Sequence, residues 1–170
     1  MIRKLHWNDL DDLVNNYYEY YDEVQSDPDF GIIFFKSRPD YGSEVVWFTD
    51  LYSEMIRGDA IAVVAEVEGR VVGICDIHRL RPNSELSHNG VLGIAVKKEY
   101  RNRGIGKDLI KMVLELSRRK FEMIRLEVFT VNSAAISLYR KLGFKEYGES
   151  PSAVKRGDRY YDLLMMYYKF

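Results

Sequence analysis

The sequence predicts an α+β fold, and three observations predict it. Two apolar runs, Ile61 to Glu66 and Val71 to His78, are separated by Val67-Glu68-Gly69-Arg70, which is the signature of a hairpin. A run ending in Ile94-Ala95-Val96 leads through a basic, glycine-punctuated turn into apolar residues at helical spacing: Ile105, Leu109, Met112, Val113 and Leu116. Strand-like runs then return at the C-terminus after one short helical segment. The order mixes β and α, with hairpins and one crossover. At 170 residues, one domain spanning 1–170 is the expectation. A chain of this size buries roughly 70% of the surface that its unfolded form exposes, enough for an independent core.

The elements follow in order. Residues 1–6 alternate weakly and suit a first strand. Asn8-Asp9 starts a helix that runs to about Val24. It carries Tyr17, Tyr18, Tyr20 and Tyr21, which cannot all face one core stripe, so some must be exposed or line a pocket. Ser26 to Ser43 reads as a loop, with Pro28, Gly31, Pro39 and Gly42. Glu44 to Arg57 reads as a second helix, stopped by Gly58-Asp59. After the hairpin comes a loop at Arg81-Pro82-Asn83-Ser84, then the strand and the helix of the crossover. Glu122 to Phe129 is a strand with Ile124, Leu126 and Val128 on one face and Met123, Arg125, Glu127 and Phe129 on the other. Asn132-Ser133 caps a helix ending near Leu142, with Gly143 as its stop. Phe144 to Tyr147 and Tyr160 to Lys169 are the last strands.

Composition narrows the function classes. Hydrophobic and aromatic fractions of 46% and 14% are globular values. No apolar run approaches the ~20 residues needed to span a bilayer. Met1 to Trp7 lacks a signal-peptide core, so a cytoplasmic location without membrane contact is expected. The single cysteine, Cys75, excludes an intrachain disulfide and reads as a packed small residue. Three scattered histidines (His6, His78, His88) give no zinc-ligand spacing, and no metal is expected. Residues 1–60 hold 5 Lys and Arg against 13 Asp and Glu, a net of −8; residues 61–170 hold 20 against 13, a net of +7. The basic part suits a polyanionic ligand and the acidic part a cationic one. The overall net of −1 argues against a nucleic-acid partner.

The turn after Val96 is the richest feature. The first turn of a helix has N–H groups without internal partners. The helix dipole adds partial positive charge there, so the place favours an anion. Gly104 and Gly106 lack Cβ atoms and let phosphate oxygens approach the backbone. Arg101, Arg103 and Lys107 add full charges. There is no G-x-x-x-x-G-K-[ST] run, and Arg103-Gly104-Ile105-Gly106 lacks the triple glycine of a dinucleotide-binding turn.

Arg101-x-x-Gly104-x-Gly106 matches the pattern [QR]-x-x-G-x-[GA], and Asn132 to Phe144 supplies a second motif at the expected distance. Together they closely resemble the GNAT superfamily of acetyl-CoA-dependent N-acetyltransferases, chiefly over Val91 to Phe144. The resemblance implies a central, mostly antiparallel mixed sheet of about seven strands flanked by helices. It implies a fourth strand that bulges and splays from the fifth, with acetyl-CoA in the cleft. The bulge is expected at Gly93-Ile94. The backbone of Ile94, Ala95 and Val96 would then bond the pantetheine, and an N–H near Ile94 would face the thioester oxygen. The pyrophosphate would rest on the N–H groups of Asn102, Arg103, Gly104, Ile105, Gly106 and Lys107, flanked by the Arg101, Arg103 and Lys107 side chains. Asn132 matches a residue that bonds the cofactor arm; as a plain helix cap it would do something else. Many members of the family dimerise, so a homodimer is within the expectation.

The same resemblance implies an acid and a base. Tyr139 matches the tyrosine that often protonates the departing thiolate. Its phenol pKa of ~10 lies above that of a thiol at ~8.5, so it remains a donor. The other reading is a packed core tyrosine. Glu127 matches the base of the ribosomal-protein alanine acetyltransferases; the other reading pairs it with Arg125. Glu85 and His88 are rivals acting through water. The run Gly157-Asp158-Arg159-Tyr160-Tyr161-Asp162, with Met165 and Met166, is similar to the ending of small-molecule amine and amino-acid acyltransferases. Asp158 and Asp162 would attract an amine, or else pair with Arg156 and Arg159. The expected acceptor is therefore a small cationic amine or an amino acid. A protein N-terminus or lysine, and a non-catalytic acetyl-CoA sensor, are the alternatives.

Overall fold

The computed structural model describes all 170 residues. The strands are β1 (Ile2–Lys4), β2 (Ala60–Val67), β3 (Arg70–Arg79), β4 (Asn89–Val96), β5 (Met123–Phe129), β6 (Lys145–Arg156) and β7 (Arg159–Lys169). They form one sheet in the order β1-β2-β3-β4-β5-β7-β6, in which only β4 and β5 run parallel. The helices are α1 (Leu10–Ser26), α2 (Tyr41–Arg57), α3 (Ile105–Ser117) and α4 (Ser133–Lys141).

Helices cover both faces, which is why β2 is apolar on both sides. Ile61, Val63 and Ala65 pack toward Leu109, Ile110 and Val113 of α3, together with Ile136 and Tyr139 of α4. The alternate residues Ala60, Ala62 and Val64 pack toward Leu13 of α1 and Phe48 and Leu51 of α2. Phe48 is fully buried, and a side chain of that kind contributes about 1.5–3 kcal/mol through the area it removes from water. Asp12 and Asn16 of α1 bind the backbone of Val71 at 2.8 Å each, which fixes α1 on β3.

Two boundaries and one expected bulge differ from the sequence reading. Helix α2 starts at Tyr41, because the Asp40 side chain caps it by accepting from Ser43 N at 2.7 Å. Strand β6 continues to Arg156 through two register shifts, between Glu146 and Gly148 and between Ser150 and Val154. As an edge strand it tolerates Pro151 and the irregularities. No bulge occurs at Gly93-Ile94: β4 stays in register with β3 from Gly90 to Val96. What changes there is the other side. β4 pairs with β5 only at Asn89, Gly90 and Val91, while β5 stays paired with β7 as far as Phe129. The close approach is at Gly90, where an added Cβ would lie 2.5 Å from Ile77 and 3.0 Å from Ile124. Beyond it the two parallel strands part.

Candidate active site

The divergence of β4 from β5 opens a cleft of about 760 Å³. One wall is the edge of β4 from Leu92 to Val96, with no strand paired on that side. Glu127, Val128 and Phe129 of β5 form the opposite wall, and Asn132, Leu138 and Tyr139 close it from the α4 side. Arg101, Asn102, Gly104, Gly106 and Lys107 line the end toward α3. Two motifs about thirty residues apart in the chain thus meet across one cavity.

The turn before α3 has the expected donors. No backbone or side-chain acceptor receives any of the six consecutive N–H groups from Asn102 to Lys107; the first bond of the helix is Asp108 N to Gly104 O at 3.1 Å. Gly104 has φ +85°, in the left-handed region, and this lets the chain turn abruptly into the helix. The basic side chains are not equivalent. Arg101 donates to both carboxylate oxygens of Glu23 at 2.6 and 2.7 Å and to Val96 O at 2.8 Å, so its charge is already matched. Arg103 stacks over Tyr100, and Lys107 pairs with no acid, which leaves these two as the uncompensated charges.

Asn132 caps α4, accepting from Ala135 N at 3.1 Å through Oδ1. Its Nδ2 remains available and faces Gly31, where an added Cβ would lie 2.7 Å away. Tyr139 is 7% exposed, lines the cleft and hydrogen-bonds to nothing in the chain. Burial pushes its phenol pKa well up, with the neighbouring Cys75 adding to the effect. Glu127 is exposed within the cleft and forms no ion pair, because Arg125 turns instead to Asn89 at 2.9 Å and to the Tyr147 ring. The rivals Glu85 and His88 lie on the exposed loop before β4 and reach neither this cleft nor the cavity beside it.

The C-terminal run does a different job from the one the sequence suggests. Asp162 accepts from Ser152 N at 2.6 Å and shapes the irregular part of β6. Arg156 donates to the carbonyls of Pro28, Phe30 and Ile32, the last two at 2.9 and 2.8 Å. Asp29 receives Arg159 at 3.1 Å and the Tyr161 hydroxyl at 3.0 Å. The C-terminal hairpin thereby holds the α1–α2 loop, whose residues Phe30 to Ile33 roof the cleft.

A further cluster, Asp76, His78 and Glu54, is not grouped by the sequence. Asp76 stands opposite Gly93, and an added Gly93 Cβ would lie 3.5 Å from its Oδ2. His78 bridges Asp76 at 3.0 Å and Glu54 at 2.5 Å. The period-two spacing of Asp76 and His78 signalled a shared face, but Glu54 comes from a helix and gave no signal.

The family model described as "Acetyltransferase (GNAT) family" matches residues 7–144. An N-alpha-acetyltransferase of Sulfurisphaera tokodaii is 39% identical over 97 residues, covering 52% of this chain and 58% of that protein. The L-amino acid N-acetyltransferase AaaT of Escherichia coli K12 is 31% identical over 106 residues, covering 61% and 65%. The match to each thus spans less than two thirds of the relative's length. Among solved structures, a ribosomal-protein-alanine N-acetyltransferase from Brucella melitensis superposes with a TM-score of 0.86 at 27% identity, over 100% of this chain and 99% of that one.

Proposed function

Because this chain belongs to the acetyltransferase (GNAT) family, we propose that it transfers the acetyl group of acetyl-CoA to a primary amine. The observation that carries this reading is the row of six unpartnered N–H groups at the mouth of a cleft that also holds Tyr139 and Glu127. The row fits a pyrophosphate, with Arg103 and Lys107 as counter-charges. Arg101, tied to Glu23, positions the turn. Asn132 Nδ2 and the free edge of β4 at Ile94, Ala95 and Val96 supply hydrogen bonds for an amide-bearing arm. Acetyl-CoA, when bound, supplies a thioester carbonyl as electrophile.

In the transfer, the amine nitrogen forms a bond to the carbonyl carbon and the C–S bond breaks. The ammonium nitrogen loses two protons and the sulfur gains one. Glu127 takes the proton that frees the amine for attack, since at pKa ~10.4 only about one part in a thousand is free amine at pH 7, and the second nitrogen proton leaves to solvent once the C–N bond has formed. Tyr139 gives a proton to the departing sulfur. Burial raises the Tyr139 pKa, so the phenol keeps its proton and can present it to the developing thiolate. The acceptor is a small cationic amine or an amino acid. A protein α-amine is the second reading, favoured by the whole-chain likeness to the Brucella structure.

The test is release of free CoA from acetyl-CoA by the purified chain with polyamines, amino acids, lysine peptides and peptides with free N-termini. Tyr139→Phe should lower turnover by about 10²–10⁴ with little change in acetyl-CoA affinity, and Glu127→Gln by a similar factor. Near-normal turnover in Tyr139→Phe removes that assignment. Acetyl-CoA binding without release for any acceptor favours a sensor.

A further inference from the structure

A second cavity, of about 310 Å³, adjoins the cleft on the α1/α2 face and shares the Gly93–Ala95 wall with it. The volume equals about ten waters of bulk liquid, the scale of a small molecule. Its lining is aromatic, with Tyr17 and Tyr20 of α1, Phe35 of the loop and Trp47 of α2. The ionisable side chains in that lining, apart from the tyrosines, are Glu44 and Asp76; no Lys, Arg or His contributes. Asp76 is held by His78 at 3.0 Å. Glu44 is 5% exposed, its carboxylate has neither a hydrogen bond nor an ion pair within the chain, and burial raises its pKa. The Tyr20 hydroxyl is buried without a partner, and the buried Tyr17 hydroxyl lies beside the backbone of Phe35.

An uncompensated buried carboxylate is costly, and aromatic ring faces attract cations. One kind of guest relieves both the missing counter-charge and the unused ring faces: a cation with a slim apolar body, able to donate to Glu44. We infer that this cavity is the acceptor pocket, and that it takes an amine whose apolar body ends in a second cationic group set against Glu44, in preference to an α-amino acid. The inference rests on the acetyl-transfer reading above. The amine to be acetylated sits at Gly93, where the two cavities meet, and the second cation lies between Glu44 and the tyrosines. An α-carboxylate in the same place finds no positive side chain and faces Asp76 and Glu44.

The experiment is calorimetric binding to the full chain in the presence of CoA. The probes are α,ω-diamines of four to eight carbons, each against the monoamine of the same length, and lysine against 1,5-diaminopentane, which lacks the α-carboxylate. The best diamine should bind roughly ten- to a hundredfold more tightly than its monoamine, and lysine at least about tenfold more weakly than 1,5-diaminopentane. In Glu44→Gln the diamine-to-monoamine ratio should collapse toward one. Equal affinities in the native protein, tighter binding of lysine, or no diamine binding at all overturns the pocket assignment. Glu44-dependent binding with no N-acetyl product from acetyl-CoA overturns the acceptor role through failure of the transfer reading itself, an outcome distinct from the first set.

Discussion

His78 shows how one side chain can tie a helix to the sheet beside the site. Its ring lies 3.0 Å from Asp76 and 2.5 Å from Glu54. The hydrogen bond to Asp76, then the charges of Asp76 and Glu54, outweigh burial and raise its pKa from 6.5 to about 9. The sign follows from proton counting: between those values the native state keeps a proton that the unfolded state has lost. The stabilisation is complete below pH 6.5 and is lost as pH rises toward about 9. The side chain is 36% exposed, so solvent screens part of the effect. Urea unfolding should show stability falling across this window, and His78→Gln should flatten that slope. An unchanged slope in the variant assigns it to other groups. The period-two spacing puts His78 on one face with Asp76, but its helical partner Glu54, 24 residues away, was not legible in the chain. Tyr139 and Glu127 could be picked out from their motif positions, but the burial of Tyr139 and the unpaired carboxylate of Glu127 could not.

At the scale of an element, the β4–turn–α3 unit carries the row of unpartnered N–H groups, and it was readable because it is local. Backbone dihedrals, glycine positions and first-turn donors all follow from fifteen or so consecutive residues. Its two glycines act differently. Gly104 needs φ +85°, so Gly104→Ala should destabilise the fold by about 1–2 kcal/mol. Gly106 is helical, and its added Cβ would meet Leu138 and Ile94 at an ordinary 3.6 and 3.8 Å. Gly106→Ala should therefore keep or slightly raise the melting temperature. The new methyl would stand in the cleft beside the N–H row and should weaken acetyl-CoA binding by about tenfold. Thermal unfolding and acetyl-CoA titration of both variants check the pair; equal affinity in native protein and Gly106→Ala would remove the turn from the cofactor site. Other elements were less readable. The long edge strand β6 survives Pro151 only because no strand pairs on its outer side, a fact of sheet order.

For the whole molecule, the decisive contact joins the chain's two ends. Arg156 of β6 gathers three carbonyls of the α1–α2 loop, 124 to 128 residues away in sequence. Burial lowers its pKa, yet the guanidinium stays charged throughout the working range. Arg156→Ala should cost about 1–3 kcal/mol and accelerate amide exchange in residues 27–40. It should raise the acceptor KM, because Ile32 and Ile33 border both cavities, and the acetyl-CoA KM as well, because Arg101 of the turn before α3 stacks on Phe30 of the loop at 4.5 Å. Unchanged exchange in the variant would show that the loop is held by other contacts. At this scale the charge asymmetry also resolves. Part of the acidic N-terminal surplus is consumed by the basic remainder, as in Glu23 with Arg101 and Glu19 with Lys97, and Glu44 is left without a counter-charge.

The sequence by itself determined the order of elements, the α+β class, the basic glycine-punctuated turn before α3 and the two motifs of the family. These depend on periodicity and on spacing over a few to a few tens of residues, where covalent geometry limits the choices. Only the tertiary structure decided that β4 leaves β5 after Val91, that Arg101 is neutralised, and that an aromatic cavity closes around Glu44. Those outcomes depend on which distant side chains share a volume, and packing sets that only when the whole sheet and its two helical layers assemble.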